Sequence, residues 1–458
     1  MRKYIAVILI LLFNYKSLAV DLNSALSSAY DNNDNFQSLR RQFLSDIEEF
    51  SQAFSEFLPE ASINIGDQDQ KIKYTSSTVF NDPTLANEKF IRNRQGTLTI
   101  SQNVFNGGGS MARLKAAQES FKALRAKYYA DEQDIIYGLI QKYLACYSSK
   151  EKYEIAETKV KTIKEQLASA EEKLKLGEIT TIDLATAKTN LAVAESERLS
   201  RHADYQYAKG FFEKDFGIEA VDITLPSAPD NLPSSLDTLI QRAILVYPSV
   251  DSARYNVSRT KALELATKSA LLPKVDLRIE RGRSFFDPQR DADNYVNGLN
   301  SKSTTSSVAV RIPIYSKGTE YSGIRKSKHD TRLAVIKLDN VIKQARADSI
   351  SSWVYYAAGL SKIIAANQAV ESSQLAYDGT VQEKIVGTKT ILDVLDVTDD
   401  LNDAKSRKVD AYSESTMSAY DLKYMMGELT ARSLKLKVKY FTPEEAFKSL
   451  KKKLFIGF

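Results

Sequence analysis

The chain writes one pattern twice. Residues 177–195 read GEITTIDLATAKTNLAVAE and residues 387–405 read GTKTILDVLDVTDDLNDAK. The two share Gly177/Gly387, Thr180/Thr390, an apolar residue before aspartate at Ile182-Asp183/Leu392-Asp393, Leu191/Leu401 and Ala194/Ala404. The correspondence extends outward. With an offset of 214, residues 22–36 fall on 236–250 and Leu58-Pro59 falls on Leu272-Pro273. With an offset of 210, Val104-Phe105 falls on Ile314-Tyr315 and Phe216-Gly217 on Met426-Gly427. A chain duplicated in this way has to fold as two copies of one unit, each of about 195 residues. The reading is a first repeat over 20–220, a linker over 221–235 marked by Pro226, Pro229 and Pro233, a second repeat over 236–430, and a basic tail over 431–458.

Each repeat has the same internal order: helix, two strands, long helix, returning helix. No proline occurs between Pro83 and Pro226 or between Pro313 and Pro443, and both stretches are rich in Ala, Lys, Glu, Leu and Gln, which predicts very long helices. Ala156, Val160, Ile163, Leu167, Ala170 and Leu174 follow heptad spacing over a helix expected from 110 to 176. A helix that long needs a partner of equal length. The helix before the strands, 33–57, and the one after the tip, 181–216, stacked end to end would supply it. Gly177 and Gly387 are placed to end the long helices, and Thr180 or Thr181, and Thr388 or Thr390, to cap the returning ones. Period-two alternation predicts four strands, at 61–65, 97–100, 275–279 and 308–312, separated within each pair by polar loops at 68–94 and 282–304.

The first residues, MRKYIAVILILLFNYKSLAV, carry Arg2 and Lys3, a ten-residue apolar run and small residues at Ser17 and Ala19, which predicts a cleaved secretory signal ending at Ala19. The run is about half the 20 apolar residues needed to span a bilayer. Removing Arg2, Lys3 and Lys16 lowers the formal charge from +5 to +2, so no basic field points to nucleic acid. An exported chain without a further long apolar segment is soluble or crosses a membrane as strands. One face of each strand is apolar (Ile63, Ile65; Leu98, Ile100) and the other polar, which fits equally a membrane barrel or the edge of a soluble sandwich. Four strands cannot close a membrane barrel; three chains would supply twelve.

These features together resemble the TolC family of outer-membrane channel proteins, over nearly the whole mature chain. The phrases LTISQNVFNGGG (98–109), VAVRIPIYSKG (308–318) and, most specifically, VGTKTILDVLDVTDDLNDAK (386–405) carry the resemblance. It implies a mainly α fold with a small β part: a homotrimer whose four strands per chain close a twelve-stranded barrel in the outer membrane of a Gram-negative envelope, continued into the periplasm by an α-barrel of long antiparallel coiled-coil helices. It further implies a passive duct for type I protein secretion or multidrug efflux, engaged by an inner-membrane transporter, ABC-type or proton-driven, and its periplasmic adaptor. By the same resemblance Asp393 and Asp396 ring the entrance, and Lys389 ties the second tip to Asp183 on the first. Lysine at 389 stands where arginine is common, and Lys384 where a tyrosine can join the closing network; lysine lacks the planar fork of arginine.

Other chemistry is sparse. His202 and His329 lie outside any HExxH context and read as surface helix residues, so no metal or other cofactor is expected. Gly107-Gly108-Gly109 lacks the remaining residues of a phosphate loop and reads as a flexible bend between strand and helix. Asp393 and Asp396 as a catalytic acid and base would need a cleft and a second group, so the chain reads as no enzyme. The single cysteine, Cys146, reads as a core residue. The reading that competes with a channel is a periplasmic or surface coiled-coil protein with a structural or adhesive role, though such a fibre has no need of matched strand pairs.

Overall fold

The computed structural model describes residues 20–73, 88–289 and 299–453; the predicted signal lies outside them, as do 74–87 and 290–298 between the paired strands. The order is α1 (Leu22–Asn32), α2 (Asp34–Asp46), α3 (Glu48–Ser55), β1 (Glu60–Lys73), β2 (Glu88–Asn106), α4 (Gly109–Lys175), α5 (Thr181–Phe216), α6 (Leu236–Val246), α7 (Pro248–Lys268), β3 (Lys274–Gln289), β4 (Leu299–Arg311), α8 (Thr319–Ile385), α9 (Ile391–Met425) and α10 (Pro443–Lys452). The chain is mainly helical with one four-stranded antiparallel sheet, and no described helix is long and apolar enough to cross a membrane. The chain divides into two compact units: Met1–Phe43, Arg125–Ser252 and Asp339–Pro443 form one, and Leu44–Leu124, Ala253–Leu338 and Glu444–Phe458 the other. Each draws segments from both repeats.

The second of these units holds the sheet, in the order β1-β2-β3-β4, every neighbour antiparallel. Its centre, β2 against β3, joins the first repeat to the second, with Ile100 opposite Ile279. The outer edges of β1 and β4 have no partner strand among the described residues. Ile63, Ile65, Val308 and Val310 are exposed on the single chain. The strands are 13 to 19 residues long. They run well into the stretches 68–94 and 282–304 that the sequence assigns to loops. The apolar alternation stops there while the ladder does not: Arg92 and Arg94 reach across to Asp67 at 2.8 and 3.4 Å, so cross-strand charge pairs replace apolar ones on a backbone that still pairs.

The strand-to-helix turn is tight rather than flexible. Gly107 and Gly108 have φ of 66° and 79°, and a Cβ on Gly107 would stand 2.5 Å from Leu272 Cβ and 2.7 Å from the Ser269 carbonyl oxygen, so glycine is required by both backbone and space. Asn106 Oδ1 then accepts from the Ser110 amide as α4 begins. The helix expected over 33–57 is broken at Ile47, where the Phe50 amide donates to the Ile47 carbonyl in a 3₁₀-type turn. In this unit α3 lines the start of α4: Arg113 pairs with Glu56, and Ser120 Oγ donates to Glu49 at 2.6 Å.

In the first unit the core gathers α1, α4, α5 and the segment after α9 around Leu26, Tyr30, Ile136, Tyr143, Phe212 and Phe216. Cys146 is wholly buried there, as expected, and burial pushes its thiol up to about 11. The C-terminus of α5 meets the α1–α2 junction: Ser28 Oγ donates to the Phe216 carbonyl and Asn33 Nδ2 to the Asp215 carbonyl, both at 2.8 Å. These bonds satisfy terminal carbonyls that α5 cannot satisfy itself. The second repeat makes the corresponding joint, where Gly427 at φ 72° lies against Val246 and Pro248 and Arg242 pairs with Glu428. Helices stacked end to end therefore occur in both repeats, at the duplicated Phe216-Gly217 and Met426-Gly427.

Candidate functional site at the helix-hairpin tips

The repeated phrase folds into the tips of two hairpins, α4–α5 and α8–α9, both in the first unit. Each long helix ends in the same motif. Gly177, at φ 76°, donates to the Leu174 carbonyl and Glu178 to Lys173; Gly387, at φ 84°, donates to Lys384 and Thr388 to Glu383. These paired bonds with a left-handed glycine close the helix C-terminus. Each returning helix opens with a capping box. Thr180 Oγ1 accepts from the Asp183 amide at 3.2 Å while the Asp183 carboxylate accepts from the Thr180 amide at 2.9 Å. Thr390 and Asp393 repeat this at 3.2 and 2.8 Å. The caps are thus Thr180 and Thr390, of the candidates the sequence offers.

The shared aspartates consequently have a local task. The Thr180 amide holds Asp183 below the usual carboxylate range, and the Thr390 amide, with Lys389 adding to it, does the same for Asp393. Lys389 Nζ lies 3.9 Å from Asp393 Oδ1, one turn along the same helix start. A Lys389–Asp183 pair is not among the ion pairs of the described residues within one chain. Asp396 is exposed on α9. The sequence contains the signal for the boxes, T-x-x-D in both phrases, at positions it marks only as threonine caps, a latch aspartate at 183 and a ring aspartate at 393.

Beneath the tips the hairpins are joined. Val160, Ile163 and Ala170 of α4, Ala187 and Ala194 of α5, and Ile391 and Leu395 of α9 form one buried cluster, so the heptad seam of α4 faces the other helices as its spacing predicts. Polar ties flank it. Lys159 Nζ lies 2.9 Å from both Glu197 on α5 and Asp399 on α9, and Lys152 lies 2.6 Å from Asp410 on α9. Lys384 donates to Gln166, linking α8 to α4; burial, with repulsion from Lys173, lowers its pKa. Lys159, Gln166 and Asp399 escape sequence reasoning because nothing in their own neighbourhoods distinguishes a bridging lysine from a solvated one. His202 and His329 are exposed, and no group of metal-ligating side chains occurs among the described residues.

A family model described as outer membrane efflux protein matches residues 25–209 and 239–428, two stretches that follow the duplication. The outer membrane efflux protein BepC of Brucella suis is 28% identical over 358 residues, covering 78% of this chain and 77% of BepC. The proteases secretion protein PrtF of Dickeya chrysanthemi is 24% identical, covering 75% and 74%. Among solved structures, the Campylobacter jejuni CmeC outer membrane channel superposes with a TM-score of 0.75 at 17% identity, covering 94% of this chain and 89% of that one. At that identity the superposition speaks for the fold.

Proposed function

Since this chain belongs to the outer membrane efflux protein family, we propose that three copies close the four-stranded sheet into a twelve-stranded outer-membrane barrel, continued into the periplasm by the long helices. The protein is an outer-membrane channel component; the competing coiled-coil adhesin is not favoured by its relatives. The observation that supports the trimer is the sheet itself: two edges without a partner strand among the described residues and an exposed apolar face suit lipid only if neighbours pair those edges. Threefold symmetry would bring three copies each of Asp393 and Asp396 to a narrow periplasmic mouth, with Lys389 pairing to Asp183 on the adjoining tip in the closed state.

In this reading the channel is passive. A water-filled duct that ends in an acidic ring admits cations readily, and an inner-membrane transporter with its periplasmic adaptor opens it by binding the open form better. BepC is named an efflux protein and PrtF a proteases secretion protein, which supports efflux or protein secretion as the task in this reading. Crosslinking and mass measurement in mild detergent, with heat-dependent gel migration, test the assembly. Trimers that shift on heating are expected; monomers alone would remove the basis for the barrel.

A further inference from the structure

Two adjacent polar side chains of α4, Glu132 and Gln133, are buried at 4% and 0% exposure, far along the helix from the tip. Both reach the segment that follows α9. Glu132 Oε1 accepts from the Ala431 amide at 3.0 Å, and Gln133 Oε1 from the Leu429 amide at 3.2 Å. Leu429 and Ala431 are themselves wholly buried, and a non-helical backbone in the core brings amides that something must satisfy. These two side chains do so, and in doing so fasten the chain beyond α9 to α4.

The two fasteners differ in chemistry. Gln133 is neutral at every pH, whereas Glu132 can carry a charge that its surroundings support poorly. It makes no ion pair among the described residues, and the Ala431 amide is the one hydrogen-bond donor it meets there. The Tyr128 hydroxyl, one turn earlier on α4, is buried without a hydrogen-bond partner and so gives it none. Arg40 of α2 and Arg432 of the fastened segment attract the carboxylate. Arg40, however, is directed to Tyr30: its Nη2 donates to the Tyr30 carbonyl at 2.8 Å and its Cζ lies 4.4 Å from that ring. Arg432 is exposed, and the Tyr30 hydroxyl is taken by the Phe441 amide at 3.0 Å. Burial prevails over the amide and both guanidiniums, and pushes the Glu132 carboxyl up to about 7. Guanidiniums do not titrate near there, and burial, with the Glu132 charge adding to it, holds the Tyr128 phenol above its ordinary range.

We propose that Glu132 is a proton-operated clasp: neutral, it fastens the segment after α9 to α4, and ionised, it lets that segment loosen at Leu429 and Ala431. Closing the clasp takes up a proton. Its contribution is therefore complete below the ordinary carboxyl value of 4.5 and is lost as pH rises through about 7. The clasp tightens in mild acid, the reverse of the tip caps, whose aspartates are held below their ordinary range. α9 carries a tip at its other end, so in the channel reading above, on which this use rests, the clasp sets how firmly that helix is anchored when the tip moves.

Amide exchange of the full chain in mild detergent, taken relative to intrinsic rates, tests the clasp without a membrane. Protection at Leu429 and Ala431 should fall about tenfold between about pH 6 and about pH 8.5, while Ile140, in the same core, holds. In Glu132→Gln, whose amide oxygen accepts as the neutral acid does, protection should stay level over that interval. The infrared band of a protonated carboxyl should fade from the wild type over the same interval and be missing from the variant. Level protection in the wild type would overturn the proposal. So would an equal fall in Glu132→Gln, since another group would then be titrating. In planar bilayers resting conductance should rise over that interval in the wild type and not in Glu132→Gln. Level conductance above a clasp that does titrate would overturn its tie to opening, whereas failure to form trimers would strike the channel reading and leave the exchange result standing.

Discussion

An aspartate in the repeated phrase has two tasks that pull on the same side chain. Asp393 caps α9 through Thr390, and by the proposed symmetry it also faces the entrance. Because its pKa is lowered on folding, the cap's contribution is complete above the unfolded value of 3.8 and is lost as pH falls through the still lower folded value. Protection of the amides at 390–393, taken relative to their intrinsic exchange rates, should thus hold at neutral and mildly acid pH and fall only below about pH 4. The pair Asp393→Asn with Asp396→Asn should lower cation selectivity in planar bilayers with trimers intact. Asp396→Asn separates the tasks, since Asp396 makes no cap: it should lower selectivity while exchange at the tip stays unchanged. If the double variant selects cations as before, the acidic ring is elsewhere. Lys389→Ala and Asp183→Ala should raise resting conductance, although Asp183→Ala also removes a cap and needs the exchange measurement beside it.

Among elements, the seam of α4 against α5 and α9 holds the tips together. Ile163, 2% exposed, lies in its middle, and Ile163→Ala should cost about 2–5 kcal/mol of local stability. Lys159→Ala leaves Glu197 and Asp399 facing each other without their cation. The direct loss should be only about 1 kcal/mol, but it removes one of the two polar ties that hold α9 to α4 beside the buried cluster, so resting conductance should rise while trimer yield does not change. Equal conductance in wild type and Lys159→Ala would show that α9 does not move when the channel opens. The helices were legible at this scale: α4 departs by one residue at each end from the span its lack of breakers and its heptads predict. The strands are legible only where one face is apolar, since Arg92 and Asp69, 3.4 Å apart across the ladder, look like loop residues until their pairing is seen. The turn at Gly107 looks loose from its glycines alone because its constraint, Leu272, comes from the other repeat.

For the whole molecule, topology follows from the strand order. β1 leads to β2 and β3 to β4 through residues 74–87 and 290–298, whose other strand ends run into periplasmic helices in the proposed assembly. Cysteines introduced at Asp82 or Asn294, in a Cys146→Ser background, should react with membrane-impermeant reagents on intact cells, and resistance to labelling would invert the topology. Cys146 itself, buried among α1, α4 and α5, should stay silent.

The pairing of β2 with β3 has a consequence for ancestry. It is an antiparallel seam between two hairpins from different repeats, the same kind of seam that the proposed trimer would make between β1 and β4 of neighbouring chains, whose outer edges have no partner strand among the described residues. A single repeat carries one hairpin, one tip and one helical joint, and nothing in its own strand pairing depends on being covalently continued. Six separate half-length polypeptides could close the same twelve strands, so a hexameric forerunner fused at what is now the 221–235 connection would give the proposed trimer without any new kind of strand contact. Such a fusion would free the two tips to differ, as they do here: one carries Asp396 and Lys389 where the other has Thr186 and Ile179.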